Sequence, residues 1–407
     1  MVKIAAFLIA IACAVLAAPA FNHQSPIIAN AGTKHHAMNK QTGLRLIATS
    51  ATEDPVWMNQ QTILSLYQTN TKFMDVTDQD LESVSSLVVP TSGFSKFTFN
   101  MDVWPIHRTA LPERPRHMKI VNRLLSHIST TKMEAWLTKF SSFHTRYYLS
   151  PSGKDSAEWL HDQVATLLHK ADKSNVRVSI SKFEHDWSQF SVIARIESLK
   201  NAPGTPVVIV SAHQDSVNKA DPLNGRSPGA DDNGSGSTTI FESLSLLIEQ
   251  GFIPSRPVEF HWYSAEEAGL LGSQKVAAHY KASQIAVSGV YHVDMTGYTN
   301  PAKEEVIAFV TDGTDDELSA FVRQVVQVYN NGTKIIDMTC GYACSDYASW
   351  TKAGYRSAFT MESFTLDTDP FVHTADDTVD HLTFSHMAKF VRSVVGFAVE
   401  MSFDRSA

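Results

Sequence analysis

The sequence predicts an α/β fold: a mostly parallel, twisted sheet with helices on both faces. Three observations predict it. Short, nearly continuous apolar runs at 207–210, 258–263, 287–293, 306–310 and 358–361 have the character of strands buried on both faces. Segments of helical spacing at 237–250, 268–281, 315–329 and 346–353 separate most of them, the alternation that builds a parallel sheet covered on both sides. The residues able to hold a metal fall at or beyond the ends of those runs, where open α/β sheets bind their ligands.

The elements follow in chain order. Lys3 precedes an apolar stretch from Ile4 to Ala18 that ends Val15-Leu16-Ala17-Ala18-Pro19, the layout of a signal peptide over residues 1–18. The stretch is shorter than the about 20 residues of a comfortable membrane span, so a secreted, extracellular protein is expected. Residues 19–110 are more polar, with short apolar patches such as Leu87-Val88-Val89. They lead into the Arg/Pro-rich run 108–116, which reads as an exposed linker open to proteolysis, with a cut compatible anywhere from 103 to 118. This is the order of a zymogen, with a propeptide over 19–110 and a catalytic domain over 111–407. A small independent N-terminal domain is the alternative. Helices are expected at 118–128, 133–143 and 156–170, strands at 176–183 and 190–196, and a closing helix at 384–403.

Composition narrows the function classes. A chain of 407 residues that is 43% hydrophobic has ample material for one large core and an appendage. The net charge of -8 argues against nucleic acid or an anionic membrane as the main partner, and no phosphate-cradling glycine loop is present. Of the three cysteines, Cys13 lies in the signal segment. Cys340 and Cys344 remain, an even pair for an oxidising compartment, or else two buried thiols.

The candidate chemistry begins at His213, which ends an apolar run and has Asp215 two residues on, placed to hold the other ring nitrogen of a metal-bound imidazole. Asp231-Asp232 sits in a glycine-rich turn before a helix, where the pair can cap the helix, bridge metals, or divide the two tasks. Glu266-Glu267 at a strand end is either a solvated helix start or a ligand beside a general base. Asp294 ends an apolar strand, where a carboxylate is costly unless paired or metal-bound. His292 reads as a core or supporting histidine, and His373 lies in a loop that gives no structural reason for an imidazole.

The ordered set Ala212-His213-Gln214-Asp215-Ser216, Pro228 to Gly236, Ala265 to Ser273, Val293-Asp294-Met295-Thr296, Thr339 to Asp346 and His373-Thr374 resembles the secreted di-zinc leucine aminopeptidases of bacteria and fungi. The likeness spans residues 118–403. It implies the zinc exopeptidase three-layer sandwich and two zinc ions, one held by His213 and Asp294, the other by Glu267 and His373, with Asp232 bridging. It further implies that Glu266 is the general base and acid acting on a metal-bridging water, that Asp215 orients His213, and that Tyr342, aimed by a Cys340–Cys344 disulfide, stabilises the tetrahedral intermediate. Met295, Phe359, Met361 and Phe364 are candidates to line the pocket for an apolar, leucine-like first side chain. The expected substrates are peptide or protein N-termini, and the expected state is a monomer. Asn331 is the expected glycan site, because the sequon at Asn233 overlaps the metal turn. Carboxypeptidase-like hydrolases, one-zinc glutaminyl-cyclase-like transferases and a binding module on the same scaffold are the rivals.

Overall fold

A computed structural model describes residues 43–50, 53–69, 71–78, 109–300, 302, 304–341 and 343–403. The signal segment, Cys13 and Tyr342 lie outside the described residues. Near the N-terminus, β1 (Arg45–Ala48), β2 (Val56–Met58) and β3 (Met74–Asp75) form a small antiparallel sheet in the order β2-β1-β3. Helix α1 (Gln60–Gln68) crosses between β2 and β3, its first turn capped by the Asn59 side chain accepting the Thr62 N–H. Strands this short cannot hold themselves together in water. They are held by the rest of the chain. Leu46, Trp57, Met74 and Val76 share one apolar cluster with Met295, Phe359 and Met361, while Ile47, Ile63, Tyr67 and Phe73 share another with Tyr147, Tyr148 and Ala265. The described residues between 43 and 78 thus form a layer docked on the body.

In the run expected as an exposed linker, Ala110, Glu113, Arg114 and Arg116 are exposed, but the backbone is anchored. From Thr109 onward the chain is tied to the body: Arg356 donates to the Thr109 carbonyl at 3.0 Å, and the Arg116 and His117 N–H groups donate to the Glu400 carboxylate at 2.9 and 2.8 Å. Glu400 is buried in the last helix and needs donors, so the backbone is fixed there.

The body opens with α2 (Met118–Leu125), α3 (Thr130–Phe140) and α4 (Pro151–Leu168), followed by the hairpin β4 (Val176–Phe183) and β5 (Ser191–Ser198). Then come β6 (Val207–His213), α5 (Gly236–Glu249), β7 (Val258–Tyr263), α6 (Leu271–Ala282), β8 (Val287–Val293), β9 (Val306–Val310), α7 (Asp316–Tyr329), β10 (Lys334–Met338), α8 (Tyr347–Ala353), β11 (Ser357–Met361) and α9 (Phe384–Ser402). The large sheet runs β10-β9-β11-β8-β6-β7-β5-β4. Its centre β11-β8-β6-β7 is parallel, as is β10 on β9, but β9 meets β11, β7 meets β5 and β5 meets β4 antiparallel, so the sheet is mixed. β10 has no counterpart among the apolar runs. It is an edge strand with Lys334 and Asp337 exposed, and its hydrophobic signal is correspondingly weak.

The pleat explains the layers. Along β6, Val208, Val210 and Ala212 face a core built with α3, α4, α5, α7 and α9, while Val207 and Ile209 face the other side under α6 and α8. Both faces being covered, β6, β7 and β8 are buried along their whole length. No helix among the described residues is long and apolar enough to cross a membrane.

Helix α6 begins at Leu271 and not at 268, because Glu266 to Leu270 forms a tight turn in which Leu270 adopts φ 60. Gly272 then packs so closely on the preceding strand exit that a Cβ there would lie 2.0 Å from the Ser264 carbonyl oxygen. Gly272→Ala is expected to cost about 1–3 kcal/mol in denaturant unfolding; an unchanged midpoint would show that the turn yields without cost.

Candidate metal centre

The parallel centre of the sheet aligns three strand ends. His213 is the last residue of β6, opposite Tyr263 of β7, and Ser211 stands opposite His292 of β8. The next residues out are Glu266 and Glu267 beyond β7 and Asp294 beyond β8. Asp232 comes from the turn before α5, and His373 from the loop beyond β11. All of these side chains are buried.

They converge around two imidazoles. His213 Nε2 lies 3.1 Å from Asp232 Oδ1 and 3.3 Å from Asp294 Oδ1. His373 Nε2 lies 2.9 Å from Asp232 Oδ2 and 3.0 Å from Glu267 Oε2. Asp232 thus presents one oxygen to each ring. Two groups, His213 with Glu266 and Asp294, and Asp232 with Glu267 and His373, bring their ligand atoms within 4.8 Å of one another. Among the described residues His213 Nε2, Asp294 Oδ1 and Glu267 Oε1 have no hydrogen-bond partner although buried, a costly arrangement that a cation would relieve. Imidazole and carboxylate are the donors zinc accepts, and bonds of about 2.0–2.2 Å in a tetrahedron place ligand atoms roughly 3.3 Å apart. The residues fit the ion.

The electrostatics point the same way. Burial opposes the Asp232 carboxylate, but His213 and His373 outweigh it and hold the group well below its ordinary range. Burial also opposes a charge on His373, yet Glu267 and Asp232 push its pKa up to about 9. Burial, with Glu267 beside it, lifts the Glu266 carboxyl well above its ordinary value against the pull of His213. The centre is a place where positive charge is welcome.

Supporting groups fix the ligands. Asp215 faces His213 Nδ1 at 3.5 Å and also accepts the Glu266 and Glu267 N–H groups at 3.0 and 3.2 Å. It thus stands between the imidazole and the glutamate turn. Asp377 accepts the N–H groups of Asp231 and Asp232 at 2.7 and 3.2 Å. The Asp231-Asp232 pair does not cap α5, whose preceding residue is Ser235. His292 joins Ser211 to Ser345, and Ser345 donates to Asp294 Oδ2 at 2.7 Å, so this histidine supports the centre without entering it. The fully buried Arg146 donates to the carbonyls of Gln214, Pro228 and Gly229, tying the His213 strand exit to the Asp232 turn. Ala265, Met295 and His373 adopt φ of 58, 53 and 61, so three ligand-bearing segments pass through a region that side chains rarely occupy.

The remaining expectations divide. Met295, Phe359 and Met361 are buried in one cluster beside the centre, whereas Phe364 is partly exposed and outside it. Cys340 and Cys344 are joined in a disulfide. Asn331 is exposed just after α7, while Asn233 is buried with its amide engaged by Val293, Gly236 and Met295. Arg146, Asp377 and Ser345 were not assigned from sequence. Arg146 carries no motif; Ser345 stands inside the quoted run Thr339 to Asp346 and Asp377 lies four residues beyond His373, and only the fold shows which atoms they touch. Lys72 was also missed: its Nζ lies 3.4 Å from His373 Nε2.

Fold and site together define a metal-dependent hydrolase. The chain belongs to peptidase family M28, whose model matches residues 191–398. It is 38% identical over 356 residues to leucine aminopeptidase 1 of Arthroderma otae, covering 85% of this chain and 89% of that one. Among solved structures it is similar to the LapA aminopeptidase of Legionella pneumophila, with 26% identity, a TM-score of 0.71 and coverage of 89% and 98% of the two chains. LapB of the same organism gives 26% identity and a TM-score of 0.73 over 91% and 98%.

Asp215→Ala should lower zinc affinity or turnover by about 10–100-fold with little change in melting temperature, the behaviour of a group that holds ligands in place. Zinc titration and steady-state kinetics measure both. A full-strength variant would show that the glutamate turn orders itself.

Proposed function

We propose that this chain, a zinc-dependent aminopeptidase, uses two zinc ions to remove apolar, leucine-like residues from peptide N-termini outside the cell. The observation that carries the reading is Asp232 facing both imidazoles, one oxygen to each. His213, Asp232 and Asp294 would hold one ion, and Asp232, Glu267 and His373 the other. When bound, zinc supplies Lewis acidity, polarising the scissile carbonyl and making a water acidic enough to attack near neutral pH.

The chain's own residues do the rest. Glu266, buried beside His213 and Asp294, takes the proton of the attacking water and returns it to the leaving amine as the peptide bond breaks. Its raised pKa suits a group that must hold that proton between the two steps. The surrounding carboxylates receive the substrate's terminal ammonium, which restricts the site to chain ends. Met295, Phe359 and Met361 form an apolar wall, consistent with the leucine aminopeptidase name of the fungal relatives. Tyr342 is assigned to stabilising the intermediate, and the Cys340–Cys344 bridge brackets it while Asp312 accepts the Cys340 and Gly341 N–H groups. Secretion behind a cleaved signal, a glycan at Asn331 and a monomeric state complete the reading.

Glu266→Ala should keep its zinc and lose about 10²–10⁴-fold in kcat on leucyl chromogenic amides. Near-normal turnover would remove the acid–base role. His213→Ala should retain one metal of two in elemental analysis; two retained ions would count against it as a ligand.

A further inference from the structure

The sheet face under α6 and α8 begins apolar and turns polar as it nears the centre. Val207 and Ile209 of β6 and Val290 of β8 pack there with Val276, Tyr280 and Trp350. Two residues further along the same strands, Ser211 and His292 stand opposite each other, both fully buried. His261 and Tyr263 of β7 are buried beside them. Valine or isoleucine would satisfy packing at these positions. A polar side chain is costly there unless its hydrogen bonds are made.

The bonds are made, and they run in file. Ser345 donates its hydroxyl to Asp294 Oδ2 at 2.7 Å and meets His292 Nε2 at 2.8 Å. His292 Nδ1 meets the Ser211 hydroxyl at 3.0 Å, and Ser211 in turn engages the Tyr263 hydroxyl. Trp350 from α8 donates its indole N–H to the Tyr263 oxygen at 2.7 Å. Tyr263 is held from a second side by His261, whose Nδ1 lies 3.1 Å from the same oxygen. His261 Nε2 is 3.0 Å from Glu259 Oε2, and Glu259 accepts from Tyr280 and Arg195 at 2.6 and 2.7 Å.

The two ends fix the sense of the file. An indole only donates and a carboxylate only accepts. Each hydroxyl or imidazole between them therefore receives on one side and donates on the other, with every proton directed towards Asp294. Bonds in such a series polarise one another. Their effect falls on one carboxylate: with Oδ2 fixed by Ser345, Oδ1 is left facing His213 Nε2 at 3.3 Å.

We propose that Tyr263 and His292 are positioning residues for the metal ion at His213 and Asp294, acting through this file and without touching metal or substrate. The inference rests on the two-zinc reading. The file ends on Asp294, a ligand of that ion alone, so the ion at Glu267 and His373 lies outside its reach.

The test measures both zinc affinities by chelator competition on the full chain, in the wild type, Tyr263→Phe, His292→Leu and His292→Gln. Tyr263→Phe removes a single oxygen atom and keeps the measurement possible if His292→Leu does not fold. In these two variants one dissociation constant should rise about 10–100-fold while the other stays unchanged. A glutamine amide keeps a donor for Ser345, so His292→Gln should bind both ions as the wild type does. A purely structural role predicts instead a lower melting temperature with both constants moved alike, or neither moved; either result overturns the proposal. So does a His292→Gln variant as weak as His292→Leu. If the wild type binds a single ion, the two-zinc reading falls, and the proposal is upheld or overturned by whether that one affinity moves.

Discussion

The rest of the structure depends on one electrostatic problem: a set of carboxylates buried together at the carboxyl edge of the sheet. Asp232, Glu266, Glu267 and Asp294 surround two imidazoles, with Asp215 and Asp346 fully buried behind them. An unpaired ion in such surroundings costs several kcal/mol, so neighbouring segments supply donors to several of them. Asp215 is held by two backbone N–H groups of the glutamate turn, Asp377 by two of the aspartate turn, and Asp294 by Ser345. Asp294 Oδ1 and Glu267 Oε1, both aimed at the centre, are among the buried carboxylate oxygens left without a hydrogen bond in the described residues, as are both oxygens of Asp346 behind it.

Arg146 shows how that problem shapes the backbone. Among the described residues its guanidinium has no carboxylate partner in hydrogen-bond contact; it is caged by the carbonyls of Gln214, Pro228 and Gly229 and stacked over Phe140. The same cation offsets the negative field and fastens the two segments that carry His213 and Asp232. The left-handed residues Ala265, Met295 and His373 belong to this arrangement, since unfavourable backbone persists where surrounding contacts determine it.

The docked N-terminal layer answers the same constraint from outside. Its sheet is too small to fold by itself, and it gains its stability by covering an apolar wall and an acidic centre that would otherwise face solvent. Lys72 is held above its ordinary pKa there, burial being outweighed by Glu267 and the other acids. The features that would make the catalytic face attractive to a substrate end, apolar wall and negative charge, are the features that hold this layer in place.

Much of this was legible beforehand. Runs such as 207–210 and 287–293 are continuous because both faces of the central strands are covered, so the burial pattern was written into the residues themselves. Polar ligands at the ends of such runs stand out for the same reason, and His213, Asp232, Glu266, Glu267, Asp294 and His373 could all be located along the chain. The edge strand β10 could not, because half-exposed residues carry no such signal. The roles of Arg146, Asp377 and Ser345, and the contact of Lys72 with His373, depend on residues tens to hundreds of positions apart being brought within hydrogen-bond reach. The amino-acid order determined the layers and the inventory of ligands through local hydrophobic patterning. Only the tertiary structure decided which ligand faces which, what clamps the turns and what covers the centre, because those contacts are set by packing geometry that no local pattern encodes.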